Sequence, residues 1–289
     1  MTFKKNNPIV LKTTALLLAI LLLLALLWAV LPTATDPAIL KLRWQLAEDG
    51  CIIHAGGFLT LSDETVVSYT NSLEALENCY RKGKKFCEID LQEISDGTLI
   101  CGHGDDSELV FGTGLPLTAS GTDFLSSRIF GELTPLSADS LADFMRAHPD
   151  FYVITDVKTD NLSACRHLAE AFPDLRSRFI VQIQFPEEYE LLRELGFPYI
   201  MYPIFKTPDE QRGMIQLAVY VRKHELLTLI LPNGYYSPDF KLLLAEKLIG
   251  IPFVLHTLND EWEIDYYLNN HLAAAVYTDR TDFGLEEGL

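Results

Sequence analysis

From residue 50 onward the chain alternates between two hydrophobic periodicities. Short apolar runs with β-type composition occur at 51–55 (CIIHA), 86–92 (FCEIDLQ), 151–157 (FYVITDV), 178–183 (RFIVQI), 199–204 (YIMYPI), 226–231 (LLTLIL), 252–258 (PFVLHTL) and 274–279 (AAVYTD). Between them lie segments whose apolar residues recur at helical spacing, predicting helices at 71–83, 137–148, 160–172, 187–195, 207–224, 237–248 and 260–270. Ser137, Thr207 and Asp260 stand where N-caps are expected, and Gly83, Gly196 and Gly250 where the chain leaves a helix. Alternating strands and helices make a parallel α/β fold, and eight strands favour a closed (β/α)8 TIM barrel over an open doubly wound sheet. The polar stretch from Gly104 to Pro135, rich in Gly, Ser and Thr, is too polar for core and is expected to be a loop or small insertion at the end of the barrel that carries functional loops.

The N-terminus breaks this rhythm. Residues 13–31 carry no charge, and 19 such residues in a helix span about 28 Å, close to a bilayer's hydrocarbon core. Lys4, Lys5 and Lys12 precede the run and Trp28 lies near its far end, which puts residues 1–12 in the cytoplasm and the rest of the chain outside the cell membrane. The expected organisation is therefore a basic N-terminus (1–12), a single-pass transmembrane helix (13–31) in contact with the lipid bilayer, a linker (32–48) and a barrel domain (49–289). A cleaved signal peptide is the other reading, and the length of the apolar run together with the weak small-residue site at Thr33–Thr35 favours the anchor.

Composition narrows the partners. Forty acidic residues against 23 basic ones give a formal charge of −17, so nucleic acid is excluded as a first choice and an anionic substrate needs a local cation. The five cysteines, at 51, 79, 87, 101 and 165, show no metal-ligand spacing and read as buried thiols, with a disulfide left open in an oxidising compartment.

Charged residues close several of the apolar strands, and a barrel assembles its site at that end. Glu88 and Asp90, two apart on one strand, present both carboxylates to one side while Cys87, Ile89 and Leu91 face the helices. Converging carboxylates suit a hard divalent cation, Ca2+ or Mg2+, and Asp156 at the end of the third strand is a third ligand candidate. Lys158, on the same face as Asp156, is a candidate for binding phosphate oxygens, with a strand-end salt bridge as the other reading. His54, before Gly56 and Gly57, and His103, after the hairpin-like segment 95–101, are candidates for general base and acid, with hydrogen-bonded structural histidines as the alternative. Asn71 is either the N-cap of the first helix or an amide reaching substrate or metal. His256, Thr257 and Asn259, and likewise Thr278 and Asp279, either line the pocket or cap strand ends.

The order IIHAGG, TNSLEAL, EIDLQ-x-x-SDG, a second His, TDVK, HTLN and YTDR resembles the glycerophosphodiester phosphodiesterase family from Cys51 to Arg280. That resemblance implies a (β/α)8 barrel related to the phosphatidylinositol-specific phospholipases C, which cleaves glycerophosphodiesters to an alcohol and glycerol phosphate with a divalent cation and two histidines. It implies that His54 and His103 form the catalytic pair, that Glu88, Asp90 and Asp156 bind the metal, and that Lys158 matches the family's lysine; Lys158, with Asn71, His256 and Asn259 from their positions, is expected to meet the substrate. This sequence departs from the family's pattern in four places. Ala55 stands where the family has Arg, Gly104 where an Asp follows the second His (Asp105 and Asp106 come next), Asp156 where Glu is usual, and His256 where Trp is frequent. Two further readings are a phospholipase C- or D-like enzyme, which requires an apolar rim such as FGTGLPL and DFLSSRIF within 111–130, and a barrel that binds a ligand without turnover.

Overall fold

A computed structural model describes residues 13, 16–20, 35–104, 108–208, 212–237 and 239–283. Eight parallel strands, β1 (Cys51–Ile53), β4 (Phe86–Glu93), β7 (Tyr152–Val157), β8 (Phe179–Gln182), β9 (Ile200–Pro203), β10 (Thr228–Pro232), β11 (Phe253–His256) and β12 (Ala275–Thr278), close into a barrel. Closure is made by β1, which pairs with β12 on one side and with β4 on the other. All eight coincide with the predicted apolar runs to within a few residues. Helices α2 (Leu73–Arg81), α4 (Ala138–Ala147), α5 (Asn161–Ala171), α6 (Glu188–Glu194), α7 (Met214–Lys223), α8 (Asp239–Ile249) and α9 (Glu261–Asn269) follow the strands. Two short pieces, β2 (Leu59–Thr60) and β3 (Val66–Val67), pair antiparallel after β1.

Strand alternation sorts the side chains into two cores. Cys87, Ile89, Leu91, Val153 and Val157 face outward into the layer between barrel and helices, while Phe86, Ile154, Ile180, Val254 and Tyr277 fill the interior. Continuing the interior rows toward the C-terminal ends leads from Phe86 to Glu88 and Asp90 on β4, and from Ile154 to Asp156 on β7. The parallel register places Asp90 opposite Asp156, so the two carboxylates meet at one level of the barrel.

The segment 32–48, expected to be a linker, is helical from Pro37 onward. Helix α1 (Pro37–Asp49) has an Asp36 N-cap, with Pro37 in its first turn, and buries Ile39, Leu42 and Leu46 among the interior residues Ile52, Phe86, Ile154 and Leu227. The Arg43 guanidinium donates to the carbonyls of Leu226 and Leu227, at the start of β10, and the Asp36 N–H donates to Glu225. Helix α1 therefore plugs the N-terminal end of the barrel. Its buried face is narrow, only Ile39, Leu42 and Leu46, on a helix that also carries Lys41, Arg43 and Glu48, which explains why the segment reads as a linker.

Other expectations change in detail. Ser72, not Asn71, caps α2, accepting from Ala75 N–H. Thr207 does not cap the following helix; it closes a 3-10 turn at Ile204–Lys206, and α7 begins after Gly213. Ser137 and Asp260 cap as expected, Ser137 within a capping box. The Gly104–Pro135 stretch buries apolar groups of its own around the antiparallel strands β5 (Leu99–Cys101) and β6 (Leu136–Ser137) and the short helix α3 (Gly121–Ser126): Val110 and Phe124 pack on Ile94 and Ile100, and Ile129 and Leu133 on Val67. All five cysteines are buried free thiols. Of the expected membrane helix at 13–31, only residues 13 and 16–20 are described; they are helical, with Leu16, Leu17 and Leu18 exposed. The rest of that segment, the basic residues 1–12, Asp105, Asp106 and residues 284–289 lie outside the described residues. Among the described residues no helix is long and apolar enough to cross a membrane.

If α1 is part of the barrel's core, Leu42→Ala lowers unfolding stability by about 2–5 kcal/mol, as for a fully buried leucine. Chemical denaturation measures it; a change near zero would mean that the plug contributes no packing.

Candidate active site

The C-terminal end of the barrel gathers Glu88, Asp90 and Asp156, and one oxygen from each lies within 4.8 Å of the other two. Glu88 and Asp90 are buried and Asp156 is partly so. Each carboxylate is held from a different side. The Ala55 N–H donates to Glu88 Oε2 at 2.8 Å, and Glu88 Oε1 is buried with no hydrogen-bond partner among the described residues. Asn71 and Asp90 exchange two hydrogen bonds: Asn71 Nδ2 donates to Asp90 Oδ2 at 2.9 Å and the Asp90 N–H donates to Asn71 Oδ1 at 3.0 Å. Lys158 Nζ bridges Asp90 Oδ1 and Asp156 Oδ2, each at 2.7 Å, and Lys206 Nζ lies 2.5 Å from Asp156 Oδ1.

The backbone bends to make these contacts. Ala55 (φ 47°) and Asn71 (φ 48°) both adopt left-handed conformations, which cost energy in non-glycine residues and hold here because each supplies a hydrogen bond to a buried carboxylate. Gly57 follows with φ 81°, and a Cβ there would stand 2.9 Å from the Asp279 carbonyl oxygen and 2.8 Å from Ile53 Cγ2. The His-Ala-Gly-Gly turn is thus packed against β12 too closely for a side chain at its second glycine.

The electrostatics follow from burial. Removal from water, with Asp90 and Asp156 adjacent, raises the Glu88 carboxyl well above its ordinary range. Burial alone would raise Asp156 as well, but the Lys206 and Lys158 ammoniums outweigh it and hold that carboxyl below its usual value. Lys158 is raised, since Asp90, Asp156 and Glu88 outweigh its own desolvation. Three converging carboxylates, one with an unpartnered oxygen, fit a hard divalent cation: its charge would satisfy Glu88 Oε1 and relieve the repulsion.

Both predicted histidines border this cluster. His54 Nδ1 lies 2.9 Å from Asp279 Oδ1, and its Nε2 lies 3.9 Å from Glu88 Oε2. His103 Nδ1 lies 2.6 Å from the Gly104 carbonyl, which can only accept, so Nδ1 carries the proton and Nε2, 4.0 Å from Asp90 Oδ2, faces the site. Among the described residues, the Gly104 backbone oxygen orients the ring. Asn259 acts at one remove: its Nδ2 donates to Asp279 Oδ2 at 2.6 Å, and its Oδ1 accepts the Asp279 N–H at 2.8 Å. His256 packs edge-on against His54 with ring centroids 5.1 Å apart, and burial followed by the neighbouring His54 pushes it down to about 4. Tyr69, Phe111 and Phe130 form an aromatic wall beside His103, Phe111 stacking on its ring at 5.5 Å.

Asp279 and Lys206 carry more of this geometry than the sequence reading assigned to them. For both the available signal was an ionisable residue closing a buried run, YTD and YPIFK, as for TDVK. Asn71 and Asn259, expected to meet substrate, make side-chain hydrogen bonds within the protein with Tyr69, Asp90, Asp279 and Thr278.

No family model matches this sequence, and no curated protein does. Solved structures do. A glycerophosphodiester phosphodiesterase from Thermotoga maritima is 18% identical over 81% of this chain and 95% of its own, with a TM-score of 0.57. One from Parabacteroides distasonis is 13% identical over 80% and 93%, with a TM-score of 0.59. An Oleispira antarctica phosphodiesterase solved with its product sn-glycerol-3-phosphate is 16% identical over 79% and 92%, at 0.56. The chain shares the TIM-barrel fold of these phosphodiesterases.

The His256 environment predicts a pH dependence. Its folded-state value lies below the ordinary 6.5, so the neutral ring contributes stability that is present above that value and is lost as pH falls toward about 4. His256→Gln should flatten the stability curve in that window; an unchanged slope in a pH series of thermal melts would show that His256 is not desolvated.

Proposed function

We propose that the protein is a metal-dependent phosphodiester hydrolase that cleaves glycerophosphodiesters to an alcohol and glycerol phosphate. The observation that carries this reading is one cluster: three converging carboxylates with an unpartnered buried oxygen, flanked by two ammoniums and two histidines whose Nε2 atoms face it. Glu88, Asp90 and Asp156 would hold Ca2+ or Mg2+, which supplies charge neutralisation at the phosphate and acidifies the attacking oxygen. Lys158 binds a non-bridging phosphate oxygen. His54 takes the proton of the attacking hydroxyl or water at Nε2, and Asp279 on Nδ1 stabilises the imidazolium that forms. His103 acts as an imidazolium: Nδ1–H stays on the Gly104 carbonyl while Nε2–H gives its proton to the leaving oxygen. Asn71 and Asn259 position Asp90 and Asp279, and His256, with its lowered proton affinity, lines the pocket as a neutral ring.

A phospholipase reading has one observation in its favour: Phe58, Tyr69 and Phe130 are each more than a third exposed on loops at this end of the barrel. The chain's geometry opposes it if residues 13–31 anchor the protein in the cell membrane, with the barrel outside the cytoplasm. Asp36 is fixed to the barrel's N-terminal end, and residues 32–35 reach at most about 14 Å. The mouth then opens away from the anchoring bilayer, which favours soluble diesters over phospholipids in that membrane.

The test is release of glycerol phosphate from a panel of glycerophosphodiesters, with lysophospholipids alongside, in the presence of Ca2+, Mg2+ or EDTA. Cation-dependent turnover is expected, falling about 10²–10⁴-fold in His54→Ala and His103→Ala, and abolished in Glu88→Ala. No cleavage with any cation, and no calorimetric metal binding that depends on Glu88, would leave a ligand-binding barrel. Cleavage of lysophospholipid but of no water-soluble diester would establish the phospholipase reading instead.

A further inference from the structure

Lys206 contacts Asp156 Oδ1, while Lys158 contacts Oδ2 of the same carboxylate. It ends the 3-10 turn after β9, and that turn is fixed: the Thr207 N–H donates to the Ile204 carbonyl, and the Tyr202 and Thr207 hydroxyls meet at 2.6 Å. The Lys206 side chain itself remains 23% exposed at the mouth. An ammonium placed there for structure alone would work against a cation site, since it repels the metal and occupies an oxygen of one of its ligands.

Charge balance gives it a different purpose. The three carboxylates and two lysines together with one divalent cation leave a single net positive charge, which a phosphodiester monoanion cancels. Without Lys206 the metal-loaded cluster is neutral before the substrate arrives, and the bound diester is left uncompensated. The first strand offers no replacement, because Ala55 is uncharged and its N–H is donated to Glu88.

We propose that Lys206 is a second phosphate-binding cation: once the carboxylates are engaged by metal, its ammonium binds a non-bridging oxygen of the substrate phosphate alongside Lys158. This rests on the diester reading of the site and deepens it by making Lys206 a residue that touches substrate.

Two variants of the full chain separate this from a structural ion pair. Lys206→Gln keeps a hydrogen-bond donor for Asp156 and removes the charge, whereas Lys206→Arg keeps the charge. Calorimetry with Ca2+ alone, then with glycerol phosphate at saturating Ca2+, is read beside KM and kcat. Lys206→Gln should bind Ca2+ at least as tightly as the parent while losing roughly ten- to a hundredfold in glycerol phosphate affinity and in kcat/KM, and Lys206→Arg should recover most of both. If Lys206→Gln retains phosphate affinity, or if its losses lie in Ca2+ binding and melting temperature, the assignment is overturned and Lys206 is a structural partner of Asp156. Parent enzyme that cleaves no diester would refute the hydrolase reading separately, and the glycerol phosphate titration would still decide whether Lys206 binds the anion.

Discussion

Three carboxylates converging at the end of an apolar barrel are the constraint around which the rest of this molecule is arranged. Loss of water and then mutual repulsion both resist ionisation of such a group, and they hold the Glu88 carboxyl above its ordinary range. The nearby distortions answer that charge. Ala55 and Asn71 adopt left-handed backbone conformations and, through an amide N–H and a side-chain amide, donate to Glu88 and Asp90; two lysines close on Asp156; and Glu88 Oε1 is still left unpartnered. A protein selected for stability alone would replace such a cluster with hydrocarbon. Its persistence inside the barrel is an argument for a ligand that supplies the missing positive charge.

The barrel makes this concentration of charge tolerable by being sided. The strand interior runs from a hydrocarbon plug, where Leu42 and Leu46 of α1 meet Ile52, Ile154 and Leu227, to a polar mouth only a few residues further along the same rows. The hydrophobic half supplies packing, and the polar half can then hold functional groups in fixed positions. His54 and His103 show how closely the mouth is set. Their Nδ1 atoms are tied to different acceptors, a carboxylate and a carbonyl, so that both Nε2 atoms turn toward the carboxylates.

Much of this was legible in the sequence because a parallel barrel strand carries two messages at once. Its apolar run identifies the strand, and an ionisable residue breaking that run at the C-terminal end marks the site, as in FCEID and VITDVK. What escaped notice lacked one of the two. Helix α1 buries only a thin stripe, Ile39, Leu42 and Leu46, and its other large apolar residues, Leu40 and Trp44, are exposed among charges, so no clear period marks it in the sequence. Lys206 follows its strand in a 3-10 turn, out of phase with the alternation that exposed Asp156 and Lys158. The Gly104–Pro135 segment hides small clusters of its own behind a polar composition, since Val110, Phe124, Ile129 and Leu133 are too far apart in sequence to show a period.

The mouth also has two unlike walls, and this bears on what it can hold. The β4–β7–β9 side presents carboxylates and ammoniums, while Tyr69, Phe111 and Phe130 stand beside His103 as an aromatic face. An inorganic anion would use only the first wall and leave the second wet. A phosphate esterified on both sides uses the ionic wall for its non-bridging oxygens and sets an organic substituent against the aromatic rings. With His103 stacked on Phe111 and its Nε2 turned toward Asp90, that ring stands where the ionic and aromatic walls meet. The division of the pocket therefore supports the proposed diester substrate over a monoester or free phosphate, by an argument that does not use the barrel's likeness to other phosphodiesterases.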